Sequence, residues 1–260
     1  MIQNEQSTKS YLHRIADILL INGGFLNNPG LFAGEMGLVL FFFRYGRYTG
    51  NELYKEYSFR LIDKLQNSIH EETTIDYKHG LAGIGSAIEY LVQKGYIDTD
   101  TDDVLEDFDK RIFFTYNLAC LPVEKKVSIG YYAHWRIAGN SAKKDSILHT
   151  ILTPIERMMH DHSMIPAWHR PLCDHNSLYS QTETYHHWLD YLSTKTNLAV
   201  SPLEGKNTVG NITLGEHAGS PLHLGIRNGL AGLGLALLTE LDGDNSWTAL
   251  FPNDQTHSKK

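Results

Sequence analysis

One phrase occurs twice almost unchanged and restricts what the chain can become: Tyr77-Lys78-His79-Gly80-Leu81-Ala82-Gly83-Ile84-Gly85 and Arg227-Asn228-Gly229-Leu230-Ala231-Gly232-Leu233-Gly234. A looser copy, Ala33-Gly34-Glu35-Met36-Gly37-Leu38-Val39, keeps the three-residue glycine step, and an apolar, helix-like run follows each copy. Gly34 and Gly80 are 46 residues apart, and Gly80 and Gly229 are 149 apart. The period is therefore about 50 residues, within the range of helix-pair repeats. A unit of that length holds two helices and two turns. Such units cannot bury a face alone and stack side by side, as a solenoid or a closed ring. Gly inside a helix costs about 1 kcal/mol against Ala, so its recurrence at matched places points to close packing there. Gly80 and Gly229 also read as turn glycines ahead of a helix.

Along the chain, inner and outer helical patterns alternate. Lys9 to Ile21 carries Leu12, Ile15, Ala16, Leu19 and Leu20 at helical spacing and stops at Asn22-Gly23-Gly24. Gly37 to Tyr48 is apolar nearly all round, the mark of a buried helix, whereas Glu52 to Ser68 sets Leu53, Tyr57, Leu61 and Leu65 against Lys55, Arg60 and Lys64. Leu81 to Lys94 is the second inner helix. Asp98 to Asp103 offers cap chemistry for an outer helix with Val104, Leu105, Phe108, Ile112 and Phe113 as its stripe. Ser128-Ile129-Gly130-Tyr131-Tyr132 stands where a third unit is due and reads as a worn copy. Further helical patterns run over Ser146 to His160, Ser177 to Leu192 and Leu230 to Leu241. Residues 195–221 lack periodicity and read as a long loop, and Asp254 to Lys260 as a frayed tail.

With His79-Gly80-x-x-Gly83 and Asn228-Gly229-x-x-Gly232 at this period, the chain resembles the lanthionine synthetase C-like family over nearly its whole length. The resemblance implies an all-α fold, an α/α toroid of helical hairpins, here one domain over residues 1–260. About five repeats can be traced, which makes a shortened ring. The family's cyclases add a peptide cysteine thiol to a dehydrated Ser or Thr, using zinc held by two Cys and one His. Those ligands lie in a Trp-Cys-x-Gly stretch and a Cys-His-Gly triplet. Here Lys78-His79-Gly80 has Lys in the Cys place, Arg227-Asn228-Gly229 replaces both ligands, and Trp168 is followed by His169. The resemblance thus implies a protein of peptide modification that binds a peptide or a partner enzyme without the standard zinc site and without another cofactor. His79 alone matches a family position with a general acid/base role; a helix-entry His bonded to backbone is the bland alternative.

Two other chemistries are open to these residues. Zinc could be held by rebuilt ligands: eight of the 14 histidines (His160, His162, His169, His175, His186, His187, His217 and His223) fall within residues 160–223 with Cys173 and Asp174, at spacings that follow no zinc template. A helical carbohydrate enzyme would need paired carboxylates such as Asp76 and Glu89, although Glu89 also reads as a solvated helix residue. Composition narrows the remainder. A net charge of −7 without any Lys/Arg run argues against a nucleic-acid surface. The longest apolar run, Leu38 to Phe43, is too short for a bilayer, and the start lacks signal-peptide character. Only Cys120 and Cys173 are present, which fits a reducing compartment, so the expected location is the cytoplasm.

Overall fold

The computed structural model describes residues 2–115, 117, 120–139, 149–151, 153, 224–227 and 229–251. Among them there are helices and turns but no strand. The helices are α1 (Ile2–Asn22), α2 (Glu35–Thr49), α3 (Glu52–Ser68), α4 (Leu81–Gln93), α5 (Thr101–Val104), α6 (Glu106–Asp109), α7 (Val123–Ala138) and α8 (Leu230–Asp242). None of these helices is long and apolar enough to cross a membrane. The patterns at Ser177 to Leu192 and residues 195–221 lie outside the described residues, as does most of Ser146 to His160.

Gly34, Gly80 and Gly229 are the N-caps of α2, α4 and α8. The loop ahead of each helix doubles back on it. The amide of Glu35 donates to Asn28 O (2.8 Å) and that of Leu81 to Thr74 O (2.9 Å), each reaching seven residues back. In the third copy Ala231 N donates to Leu224 O over the same span (3.0 Å). These returns leave no room for a side chain. A Cβ on Gly34 or Gly80 would lie 2.2 or 2.0 Å from Asn28 O or Thr74 O, and one on Gly83 or Gly232 would lie 1.9 or 2.0 Å from Tyr77 O or Ile226 O. The next glycine of the phrase serves a different contact. Gly85 and Gly234 face the Tyr132 and Phe41 rings, which an added Cβ would meet at 2.4 and 2.3 Å. The three-residue step thus accommodates the loop, and the following glycine accommodates the neighbouring helix.

In space α2 contacts both α4 and α8, α4 also packs on α7, and α8 packs against α1 as well, so the last described helix sits beside the first ones. Phe41, Phe42, Leu38, Ile84, Leu91, Leu235 and Leu238 belong to one buried core. Beyond α8, the 3-10 turn Ser246–Leu250 packs against α4, burying Trp247, Leu250 and Phe251. Its polar groups are met: Tyr90 Oη pairs with Ser246 Oγ, Tyr77 Oη donates to Leu250 O, and Trp247 Nε1 donates to Thr239 Oγ1, each at 3.0 Å. Arg44, with its side chain 1% exposed, ties α2 to the end of α8 through Asp242 Oδ2 (2.9 Å) and Asp244 O (2.7 Å). At the other end of α2, the Lys64 ammonium lies 2.7 Å from Oε1 of the buried Glu35, at an angle too poor for a hydrogen bond. The same ammonium donates to Gly24 O (2.8 Å) and Leu26 O, which anchors α3 to the turn after α1.

Several local expectations need correction. Ser128 to Tyr132 do not open a helix; they lie inside α7, which starts at Val123 after Pro122. They still supply packing of the kind the phrase provides, since Tyr132 covers Gly85 and Ser128 Oγ accepts from Tyr77 N (3.1 Å). The outer helix after Asp98 is broken into α5, α6 and a π turn over Lys110–Phe114. Asp100 caps α5, and Leu105 and Ile112 are buried, but Val104 is 43% exposed. In α3 the buried side begins at Ser58, so Leu53, one turn earlier, stands 64% exposed.

Steric demand at Gly83 can be measured directly. Gly83→Leu must displace Tyr77 O and Leu31, and should lower unfolding free energy by about 1 to 3 kcal/mol or more in urea denaturation. Gly24→Ala, where nothing lies within 4 Å of the new methyl, should be close to neutral. Equal effects at the two sites would contradict the packing role.

Candidate functional site

The three glycine loops meet at one end of the helices through their main chains. Phe32 N–H donates to Lys78 O (3.0 Å), and Phe32 O accepts from Ile226 N (2.8 Å) and Arg227 N (2.9 Å). Glycine again permits the approach: a Cβ on Gly30 would sit 2.4 Å from His79 Cα, and one on Gly225 would sit 2.5 Å from Ala33 Cα. Lys78 and Arg227 are thereby carried on either side of Phe32, with His79 next to Lys78. The N-terminal ends of α2, α4 and α8 start from these loops and add their positive dipole ends.

His79 is exposed and has a partner in Asp76, whose Oδ1 lies 3.4 Å from its Nδ1. That oxygen also accepts from the backbone amides of Lys78 (2.9 Å) and His79 (2.8 Å), so Asp76 organises the turn from which His79 projects. The Lys78 ammonium is pulled below the usual lysine range, first by burial and then by the charge of Arg227, with Asp76 opposing. Arg227 is exposed and forms no ion pair among the described residues. The arrangement offers hydrogen-bond donors, positive charge and one imidazole beside a carboxylate. Among the described residues no group of three or more His, Cys, Asp or Glu could hold a metal ion. Asn228, Cys173, Asp174, His175 and the seven histidines named with it as rebuilt ligands lie outside the described residues.

A second polar assembly was not foreseen from sequence. Arg136 of α7 is fully buried and meets three carboxylates: Glu89 of α4, Asp102 of α5 (2.5 Å) and Asp109 of α6 (3.0 Å to Oδ2, with Nε 3.1 Å from Oδ1). Thr101 Oγ1 accepts from Nη1 (3.1 Å), and Tyr132 Oη donates to Asp109 Oδ1 (2.7 Å). Glu89 is therefore neither a solvated residue nor an open partner for Asp76, which corrects the paired-carboxylate expectation. Its Oε2 has no hydrogen-bond partner among the described residues and faces Gly139, where an added Cβ would lie 2.3 Å away. Glu89 and Asp109 are buried, and Asp102 is partly so. Burial outweighs the bonds from Arg136 and raises the Glu89 carboxyl above its ordinary value. For Arg136 the balance is reversed: burial pulls it down, but Asp109 and its other acidic neighbours hold the guanidinium more firmly protonated than usual. The signal available in sequence was a charged residue flanked by apolar ones, as in Ile88-Glu89-Tyr90 and Trp135-Arg136-Ile137.

Comparison with known proteins adds no relative: no family model, no curated protein and no solved structure matches the chain.

The Arg136 assembly makes stability depend on pH. Since the folded state holds the Glu89 proton more tightly than the unfolded chain, Glu89 favours folding below the ordinary carboxyl value of 4.5. That contribution is lost as pH rises through the folded value. Glu89→Gln removes the slope, so chemical denaturation across pH 4 to 8 should show wild type losing stability relative to the variant as pH increases. Wild type gaining instead would mark Glu89 as an ordinary ionised partner. Arg136→Met, which strands the carboxylates, should cost about 3 to 5 kcal/mol near neutral pH.

Proposed function

We propose that this chain is a shortened lanthionine synthetase C-like α/α toroid of the cytoplasm that serves peptide modification by binding a peptide or a partner enzyme. The observation that carries the reading is the convergence of all three glycine loops on Phe32, which brings matched positions of distant copies to one end. Further support comes from α8, which sits against α1 and α2 as a ring of hairpins would require at its junction. Lys78 and Arg227 stand at the positions where the family's cyclases carry thiolates, and a cation there repels a metal ion. Those residues favour recognition over zinc-dependent cyclisation. His79, held over Asp76, is the residue to which an acid/base role would fall if the protein were also a catalyst.

Elemental analysis of the purified full chain tests the binding-only reading against a cyclase with rebuilt ligands. The protein should carry no stoichiometric zinc, and Cys173→Ser should change neither metal content nor melting temperature. About one zinc per chain, released by that substitution with a fall in melting temperature, would place the protein among the cyclases instead.

A further inference from the structure

We propose that a cavity at the C-terminal end of α2 binds a small carboxylate, with Arg47 and Lys55 holding its charge and the Phe43 and Tyr96 rings its apolar body. The cavity, about 290 Å³, lies between the ends of α2 and α4 and the start of α3, at the far end of α2 from the glycine loops. It is therefore separate from the surface on which the peptide-binding reading rests. Phe43 and Arg47, one turn apart, share a face of α2. They line the cavity with Tyr96, whose ring centroid is 6.0 Å from that of Phe43. Lys55 reaches the same cavity through the tight approach of α3, since a Cβ on Gly46 would lie only 3.3 Å from Lys55 N. Gly50 and Gly95, both left-handed (φ 66° and 64°), complete the wall, and nothing lies within 4 Å of a Cβ built on either.

Arg47 is fixed before any ligand arrives. Its Cζ lies 3.4 Å from the centre of the Tyr96 ring, and its Nη2 donates to Lys94 O (2.9 Å) and Gly95 O (2.8 Å). These contacts tie α2 to the end of α4 and cover carbonyls whose negative charge would otherwise oppose an anion. They occupy one nitrogen; Nε and Nη1 have no hydrogen-bond partner among the described residues. Lys55 is held only by Glu52 Oε2 at 3.5 Å, a pair exposed on both sides and worth little, so its ammonium can turn to a ligand. The charge count then selects the ligand. Arg47 and Lys55 against Glu52 leave one net positive charge, which matches a monoanion. A dianionic phosphate would bring a second charge towards Glu52, and a cation would meet Arg47 and Lys55. A carboxylate accepts donors from a guanidinium and an ammonium together, and a volume near the lower limit of small-molecule sites suits a body of about one ring. Such a carboxylate is carried by a free organic acid or by the last residue of a peptide.

Titration of the intact, nitrogen-15-labelled chain with phenylacetate, followed by the NMR shifts of its amides, tests the site, with phenylacetamide and inorganic phosphate as comparison probes. Phenylacetate should produce saturable shifts at Gly50, Gly95 and Tyr96 that weaken as salt is raised, and the other two probes should not. Lys55→Ala should lower the affinity roughly tenfold. Lys55→Arg should retain it, as should Lys110→Ala, which removes an exposed lysine paired with Glu106 and Asp107. The Lys55 side chain bonds to no other element among the described residues, so these variants decide the matter even if Arg47→Gln, which should also lose binding, fails to fold. Gly-Gly-Phe with a free C-terminus separates the two sources. Tighter binding than phenylacetate assigns a peptide terminus, and equal or weaker binding assigns a free acid; either outcome supports a carboxylate site. Equal shifts with phenylacetamide would reduce the cavity to an apolar cleft, and equal affinity for phosphate would make it a general anion site; both overturn the assignment. Unchanged affinity in Lys55→Ala, or no saturable shift with phenylacetate, would overturn it as well.

Discussion

The fold depends on main chain packed against main chain. Phe32 donates to one loop and accepts from another, and the three copies can meet there only because Gly30 and Gly225 have no side chains to hold them apart. The same economy operates within each copy, where Gly83 and Gly232 let the returning carbonyls of Tyr77 and Ile226 lie directly over the first turn of the helix. Buried backbone groups are satisfied in the process, which a loop packed this deeply requires. The repeated phrase is therefore a sequence record of close approach, and its chemistry-bearing neighbours, Lys78, His79 and Arg227, are passengers delivered to a common end.

Away from that end, charge determines how the units are joined. Arg44 links α2 to the residues that follow α8, and Arg136 gathers α4, α5 and α6 onto α7. Buried ion pairs are weak evidence for stability, because desolvation offsets much of the attraction, but they discriminate strongly against wrong partners. Apolar helix faces can slide; a guanidinium with specific carboxylates cannot do so without stranding them. The segment after α8 adds the remaining constraint by placing Trp247, Leu250 and Phe251 against α4 and the Tyr77 and Phe32 side chains.

Much of the local structure could be read from the residues. The amphipathic stripe over Glu52 to Ser68 matches the limits of α3, and Asn51 ahead of it caps the helix by accepting from Leu53 N (3.1 Å). The glycine phrase located the starts of α2, α4 and α8. It failed at α7 because that helix opens on Pro122, which fixes its own φ, and its Ser-Ile-Gly falls within the helix. Periodicity reports which face is buried but cannot pair charges that lie 27 to 47 positions apart, so the partnership of Arg136 with Glu89, Asp102 and Asp109 is not legible in it. At the loop end the residue types were legible as replacements for metal ligands. Their proximity was not, since it arises from backbone contacts between loops far apart in sequence. His79 is the intermediate case, with a partner only three residues away that an Asp-x-x-His spacing before a helix could have suggested.

Amide hydrogen exchange at Phe32 and Ile226, compared with Leu81, tests the convergence of the loops most directly, because Phe32 donates to Lys78 O and Ile226 to Phe32 O between copies, whereas Leu81 donates to Thr74 O within its own. If the loops form one cooperative unit, all three amides should be protected and should exchange with similar opening free energies, close to that of the core helices. Fast exchange at Ile226 while Phe32 and Leu81 stay protected would show that the last copy does not dock on the first, and would contradict the account.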